Sequence, residues 1–389
     1  MSDWKEYRFS DFAVINPAVL IPKVEQSSFV EMKDLENGKR YCEPSQQRIL
    51  SGGSRFQNGD TLFARITPCL ENGKICQVRN LKNGVGFGST EFHVFRGKDG
   101  VSDTNFVYYL SRWSDLRDHA EINLDGTSGR QRVPKQAFDD LVLNLPSISE
   151  QRSIAYILGS LDDKIDLLQR QNATLEGMAE TLFRQWFMED RTNEWSDGIL
   201  DDILNVKGGT TPSTAVKEYW DGNIRWTSPK DITNLNGIFL FDTERKITQL
   251  GLKKISSGLL PIGTLLMSSR APVGVLAFAE VPLAINQGYI AIIDDKGYSK
   301  EFIYLWLKAN METVISYANG STFLEISKSA FKSLEIAKPP RHMINNFQTK
   351  VEPLFHKIKI NQVQIRTLST MRETLLPKLM SGEVRVQLN

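Results

Sequence analysis

Between positions 150 and 190 apolar residues recur in alternating steps of four and three. They are Ile154, Leu158, Leu161, Ile165, Leu168, Leu175, Ala179, Leu182 and Trp186, and only Asn172 breaks the series. A stripe kept over several heptads marks a coiled-coil seam rather than a surface helix. Ser147 followed by Glu150 fits a capping box at its start. A second stripe fills residues 343–382: Phe347, Val351, Leu354, Ile358, Asn361, Ile365, Leu368, Arg372, Leu375 and Leu379. Asn361 and Arg372 interrupt it, and Pro353 and Pro377 lie inside it. An internal proline costs about 3 kcal/mol, so a weakened or kinked helix is expected there. Elsewhere the period is shorter. Residues 59–66, 89–95, 263–269 and 288–293 read as strands, and 105–113 and 301–318 as amphipathic helices. Polar, glycine-rich connections at 50–59, 124–132 and 206–214 separate them.

The two stripes belong to a tandem duplication, which is sought first because missing it misassigns the fold. Aligning Ala137-Phe138 with Ala330-Phe331 sets an offset of 193. Without gaps, Ser128 then falls on Ser321, Val133 on Ile326, Lys135 on Lys328, Pro146 on Pro339, Ile165 on Ile358 and Leu182 on Leu375. With small gaps, Gly59-Asp60-Thr61-Leu62-Phe63 and Pro68 match Gly263-Thr264-Leu265-Leu266-Met267 and Pro272, while Trp4 and Trp195 open the two copies. The expected fold is mixed α/β (α+β). Two tandem domains are joined and separated by two long helices in an antiparallel coiled coil with pseudo-two-fold symmetry. The boundaries are 1–149, 150–190 (central helix), 191–342, 343–382 (distal helix) and 383–389 (tail).

Charge supports the pairing. Residues 150–190 carry four basic and eight acidic residues, whereas 343–389 carry seven basic and three acidic. Opposite charge favours association of the two helices and opposes self-association of either. In the antiparallel register where paired positions sum to 533, Ile154 meets Leu379, Ile165 meets Leu368, and Leu182 meets Val351. Asn172 and Asn361 then face each other, and a polar seam residue is a known register device. Arg372 opposite Leu161 is the weak point. The seam residues are Leu158, Leu161, Ile165, Leu168, Asn172, Leu175, Leu354, Ile358, Asn361, Ile365, Leu368 and Leu375. Helices of about 40 residues span about 60 Å, so two similar readers are expected at the ends of a rod.

The totals exclude more than they indicate. Net charge is +1, and each globular domain is near neutral, with 19 basic and 19 acidic residues in 1–149 and 17 and 16 in 191–342. A nucleic-acid reader of this composition must gather its basic residues on one face. Three cysteines form no CxxC pair, and no apolar run approaches a membrane span, so a cytoplasmic protein with reduced thiols is expected. There is no Walker A sequence and no HExxH, and the four histidines are scattered. The amino-methyltransferase N/D-P-P-Y/F is missing too. Gly84-Val-Gly-Phe-Gly88 reads as a strand connection and Glu31-Met-Lys33 as a chance nuclease-like triplet. No catalytic residue, metal ligand or cofactor site is assigned, and the chain reads or scaffolds.

At this point the residues resemble a known family, the specificity (S) subunits of type I restriction-modification enzymes. Leu145-Pro146, Glu150 to Ala155, Leu161 to Ile165 and Leu182 to Phe187 are similar to that family's central spacer helix. Leu375 to Val384 is similar to its distal helix end. Gly208 to Ser213, Ile224 to Ser228, Ser269 to Gly274 and Asn286-Gln287-Gly288 resemble one type of target-recognition domain. Arg65 to Lys74 and Gly88 to Phe92 resemble another type. The resemblance implies two recognition domains, each reading one half of an asymmetric bipartite double-stranded DNA site, with the helices setting the gap. It implies two docked methyltransferase (M) subunits that modify adenine N6 with S-adenosylmethionine, and motor-nuclease (R) subunits that use ATP and Mg in phage defence. Those cofactors would bind the partners, leaving this chain non-catalytic. The rival readings are a specificity subunit of a two-component, non-type-I modification system and a coiled-coil scaffold unrelated to DNA. A self-contained nuclease or methyltransferase is disfavoured by the missing motifs.

The residues expected to reach DNA follow from side-chain chemistry. Arg and Gln suit guanine and adenine edges, and Lys, Ser and Thr suit phosphates. In the first domain they are Arg65, Thr67, Ser89, Glu91, Arg130, Gln131, Arg132 and Lys135. In the second they are Thr210, Thr211, Ser213, Lys230, Ser269, Arg270, Gln287, Thr322 and Lys328. Lys135 and Lys328 match across the repeat and are assigned to the backbone. Trp220 and Trp226 are read as core. Arg270 has an equal claim to a structural hydrogen-bonding role.

Overall fold

The computed structural model describes residues 4–22, 25–127, 129–189, 194–320 and 324–386. The chain divides into two compact units, residues 1–167 with 364–389 and residues 168–363. Each long helix therefore contributes to both units.

In the first unit a five-stranded sheet runs in the order Ala13–Ile15, Phe92–Gly97, Thr61–Ala64, Ile75–Val78, Tyr41–Cys42. Its pairs are antiparallel except the last, which is parallel. Thr61–Ala64 and Ile75–Val78 are buried along their whole length, because the sheet is covered on both faces. The second unit repeats this order with Asn205–Lys207, Tyr289–Asp294, Leu265–Ser268, Leu276–Ala279 and Phe239–Leu240, the last pair again parallel. A two-stranded ribbon ties start to end in each unit: Lys5–Arg8 with Val142–Leu145, and Ser196–Ile199 with Glu335–Lys338.

The units differ in their smaller sheet. The first has four strands, Gln46–Ile49, Gln26–Val30, Val85–Gly88 and Ser54–Gln57; the second has three, Arg245–Ile247, Trp220–Thr227 and Leu283–Ile285. The glycine string is thus a strand over Val85–Gly88, with Gly84 closing the turn before it, and not a connection. A Cβ at Gly88 would lie 2.4 Å from the Val30 carbonyl oxygen, so the neighbouring strand passes where a side chain would stand. The helix expected over 301–318 is two, Lys300–Ala309 and Met311–Ser316. Asn310 separates them, its side-chain amide donating to the Trp306 carbonyl at 2.8 Å and so competing with the helical ladder.

The long helices run Ile148–Arg184 and Arg341–Met380. Ser147 Oγ accepts the Glu150 backbone N–H at 3.4 Å, so the cap forms. The reciprocal half of the box does not. Glu150 instead accepts the Trp4 indole N–H at 3.1 Å and Arg385, tying both chain ends to the helix start. The distal helix continues through Pro353 and Pro377. Both prolines are exposed, and so are Thr349 and Glu373, whose carbonyls lose their helical N–H donor and can accept from water instead.

All twelve seam positions are buried or half-buried. In the second unit Phe347, Val351, Phe355 and Ile358 pack with Ala179, Phe183 and Phe187. In the first unit Leu376, Leu379 and Met380 pack with Ile154, Ala155 and Leu158. The buried face is wider than a heptad seam, because in each unit the helices also pack on that unit's own sheet and shorter helices. Asn361 Nδ2 donates to Asn172 Oδ1 at 2.9 Å, the pairing that the antiparallel register demands. Arg372 does not oppose Leu161 as an unmatched charge. It is 4 % exposed and pairs with Asp162, itself 3 % exposed, while also donating to the Gly38 carbonyl at 3.0 Å and Glu373 at 2.7 Å. Among the described residues no helix is long and apolar enough to cross a membrane.

Candidate nucleic-acid interface

In each unit three loops meet along the edge of the five-stranded sheet formed by the ends of its two inner strands, not along an edge strand. In the first unit they are the loop after Thr61–Ala64, the turn before Phe92–Gly97, and the polar loop from Leu124 to Pro134. Arg65 N–H donates to the Glu91 carbonyl at 3.0 Å, and the Arg65 carbonyl accepts from Val133 at 2.9 Å. In the second unit Ser269 N–H donates to the Gly288 carbonyl at 2.8 Å, and the Ser269 carbonyl accepts from Ile326 at 3.0 Å. The bridges Ile66 to Arg132 and Asp125 to Arg132 recur as Arg270 to Glu325 and Asn319 to Glu325. Both frames carry a cis proline, Pro68 and Pro272. One backbone scaffold thus presents two different sets of side chains.

In the first unit Arg132 and Glu91 form an ion pair across two of these loops. Arg132 Nε lies 3.0 and 2.9 Å from the two Glu91 carboxylate oxygens, and a terminal nitrogen lies 2.7 Å from Oε1. Arg132 holds the Glu91 carboxyl below the usual carboxylate range, and Arg65 adds to the effect. The pair is therefore ionised throughout the neutral range. Arg130 and Lys135 are exposed, and Lys135 lies 3.7 Å from Asp139. Gln131 is half-buried, with its backbone tied to Thr67. Arg65 is half-buried, and its Nε is buried with no partner.

Thr67 is buried at 7 % exposure, its hydroxyl accepting the Gln131 N–H at 3.1 Å. Ser89 Oγ accepts the Glu91 N–H at 3.1 Å. The buried Thr67 hydroxyl thus closes the loop and does not face outward, which corrects the expectation of phosphate contact there, whereas Ser89 is half-buried and shapes its turn. His93, fully buried beneath the loops, is the support that sequence reasoning missed. Its Nε2 lies 2.9 Å from the Val133 carbonyl, and Nδ1 lies 3.3 Å from Asn16 Nδ2.

In the second unit Thr211 donates to Gln287 Oε1 at 2.6 Å, and both residues are exposed. Lys230 is exposed and pairs with Glu244 at 2.9 Å. Ser213 is exposed, and its carbonyl accepts the Trp220 indole N–H at 3.1 Å. Lys328 is exposed over the Gly208 turn, where an added Cβ would meet its side chain at 3.2 Å. Thr210 and Ser269 are corrections of the same kind as Thr67. The Thr210 hydroxyl donates to the Lys254 carbonyl at 2.9 Å and accepts the Ser256 N–H at 3.0 Å, and Ser269 is 3 % exposed. Thr322 lies outside the described residues. Trp220 and Trp226 are core, packed edge to face at 5.1 Å.

Arg270 lies 3.6 Å from Glu325, a residue not singled out from the sequence. Under the repeat offset of 193 Glu325 is the counterpart of Arg132, so the charge reversal was readable from the alignment. Among the described residues no group of three or more His, Cys, Asp or Glu could hold a metal ion.

A family model for the type I restriction modification DNA specificity domain matches the chain twice, over residues 1–177 and 192–368. The specificity subunit of the type I restriction enzyme HindI from Haemophilus influenzae is 27 % identical, the match covering 99 % of this chain and 100 % of the relative. The MjaIX specificity subunit from Methanocaldococcus jannaschii is 40 % identical over 41 % of this chain and 38 % of its own length. The crystal structure of a type I restriction-modification S subunit from M. genitalium superposes with a TM-score of 0.56 at 16 % identity, covering 100 % of this chain and 97 % of that one. That likeness bears on the fold.

Proposed function

The chain belongs to the type I restriction-modification DNA specificity family, and on that premise we propose that the three-loop edge of each unit binds one half of a bipartite double-stranded DNA site. The observation that carries this reading is the shared hydrogen-bond frame with unlike side chains: Arg65, Glu91, Arg130 and Arg132 on one, Gln287, Arg270 and Glu325 on the other. Two different readers on one scaffold suit an asymmetric site. In this reading the exposed Arg130, Lys135 and Lys328 meet phosphates, and Arg132, Arg270 and Gln287 meet base edges.

The chain is the non-catalytic specificity subunit of a complex whose partners supply the chemistry. Two methyltransferase subunits that bind S-adenosylmethionine and modify adenine N6 dock on the long helices. Motor-nuclease subunits using ATP and Mg complete the assembly in the cytoplasm. Large apolar side chains left exposed on these helices, among them Tyr156, Met178, Ile360 and Met371, are surface that a partner would cover.

Arg130→Ala with Arg132→Ala is expected to weaken binding of the methyltransferase complex to one half-site by about tenfold or more at fixed salt, since a lost base contact costs about 1–3 kcal/mol. The other half-site is unaffected. Unchanged affinity in a fluorescence-anisotropy titration would remove this edge from the interface. The helices also act as a ruler. Deleting one heptad from both shortens each by about 10 Å, so the preferred gap between half-sites shifts by about three base pairs. Methylome sequencing reads this directly, and an unaltered gap refutes the ruler.

A further inference from the structure

We infer that Arg132 reads a guanine in the half-site of the first unit, held for that task by Glu91 as its positioning residue. The inference rests on the reading of the three-loop edge as the DNA face and names what that edge recognises. It starts from the donors of one guanidinium. Arginine has five N–H groups and no acceptor. Glu91 engages Nε and one terminal nitrogen from the side, and the Arg130 carbonyl takes one N–H of the other terminal nitrogen at 3.2 Å. One N–H on each terminal nitrogen is left over. Two adjacent, coplanar donors are what the O6 and N7 acceptors of guanine require in the major groove. A lysine cannot reproduce that fork.

The backbone beneath is fixed as well. Arg132 N–H donates to the Asp125 carbonyl at 2.8 Å, and its carbonyl accepts from Asp125 at 3.0 Å, so the residue sits on a bridge and not on a free loop tip. Its side chain remains accessible, with 44 % of its surface exposed against 22 % for Glu91. A donor pair held this way loses little freedom on binding, which favours specificity over bulk affinity. Arg130 differs. It is exposed and hydrogen-bonded only through its backbone among the contacts described, so it suits a phosphate. The second unit keeps an Arg–Glu pair at this place with the polarity reversed, Arg270 coming from the proline loop and Glu325 from the polar loop. The arginine is therefore delivered from a different direction in each unit, as two unlike half-sites require.

The test uses the full chain in complex with methyltransferase subunits, and methylome sequencing of cells that carry it. Arg132→Lys keeps the charge and is expected to relax the methylated motif at one G·C position of one half-site. Preference there falls by roughly 5- to 150-fold, the range of a lost bidentate contact. Glu91→Gln is expected to relax the same position by a smaller factor, a readout that simple loss of stability would not move. An unchanged motif with Arg132→Lys, relaxation at an A·T pair, or a uniform loss at every position overturns the guanine assignment. If Arg130→Ala with Arg132→Ala also leaves affinity at both half-sites unchanged, the DNA-face reading itself has failed. If that double variant weakens one half-site while Arg132→Lys relaxes nothing, only the guanine assignment has.

Discussion

Arg372→Met is expected to destabilise the first unit by about 3–5 kcal/mol, the usual cost of breaking a buried ion pair from one side. Arg372 and Asp162 are almost without solvent contact, and Asp162 also accepts the Tyr109 hydroxyl at 2.7 Å. Removing the guanidinium leaves a buried carboxylate with one neutral donor. The charge stays behind, and that dominates the loss more than the missing contact does. The paired variant Asp162→Leu with Arg372→Met removes both charges and is expected to recover most of the stability, because apolar replacement of a buried pair is often neutral or better. Hydrogen exchange over Leu158–Ile165, with urea unfolding of the full chain, measures both. A single variant that costs less than the double one would contradict the account. A polar contact inside an otherwise apolar helix packing fixes register at a cost in stability. Asn172 with Asn361 does the same within the second unit.

The second large effect is a loss of stability in mild acid that comes from His93. Burial pushes its pKa down to about 4, with the Val133 carbonyl opposing and Arg65 reinforcing the shift. The partners explain why the ring is neutral. Nε2 faces a carbonyl that only accepts, so it carries the proton, and Nδ1 faces the Asn16 amide nitrogen, so it accepts. A proton on Nδ1 would set donor against donor. The unfolded chain takes up its proton near pH 6.5, whereas the folded chain resists until about pH 4. The stabilisation is thus complete above pH 6.5 and is lost as pH falls towards 4, by about 3 kcal/mol in total. His93→Phe is expected to start from a lower stability, since the Val133 carbonyl loses its donor. It should then show a flatter response between pH 7 and pH 5. Thermal melts at constant ionic strength decide this, and parallel pH profiles for the two proteins would exclude His93 as the source. The site is affected with the fold, because Val133 closes the loop that carries Arg130 and Arg132.

Much of the architecture was legible along the chain, and the reason is physical. Burial against solvent imposes periods of 3.6 and 2 on any amphipathic helix or strand, so the two long helices and most strands could be read locally. Duplication added long-range information without contacts. The offset that matched Lys135 to Lys328 also matched Val133 to Ile326, and these two donate the equivalent hydrogen bonds in the two units. The antiparallel register followed from matching two stripes, because polar seam residues tolerate few alternatives.

What remained hidden were partners far apart in sequence. Arg132 and Glu91 are separated by 41 residues and Arg372 and Asp162 by 210, and no local pattern announces either pair. Composition points to polar loops but does not distinguish a hydroxyl facing solvent from one closing a loop, as at Thr67 and Thr210. Intrinsic propensity alone predicts a weakened distal helix at its prolines, but their exposure lets water replace the lost backbone bonds. The sequence by itself determined the repeat, the element types and the pairing of the helices, since each follows from burying apolar surface at a fixed period. Only the tertiary structure decided which charges are neutralised, which donors stay available and which histidine is kept dry, because those depend on side chains that meet in space after the backbone has folded.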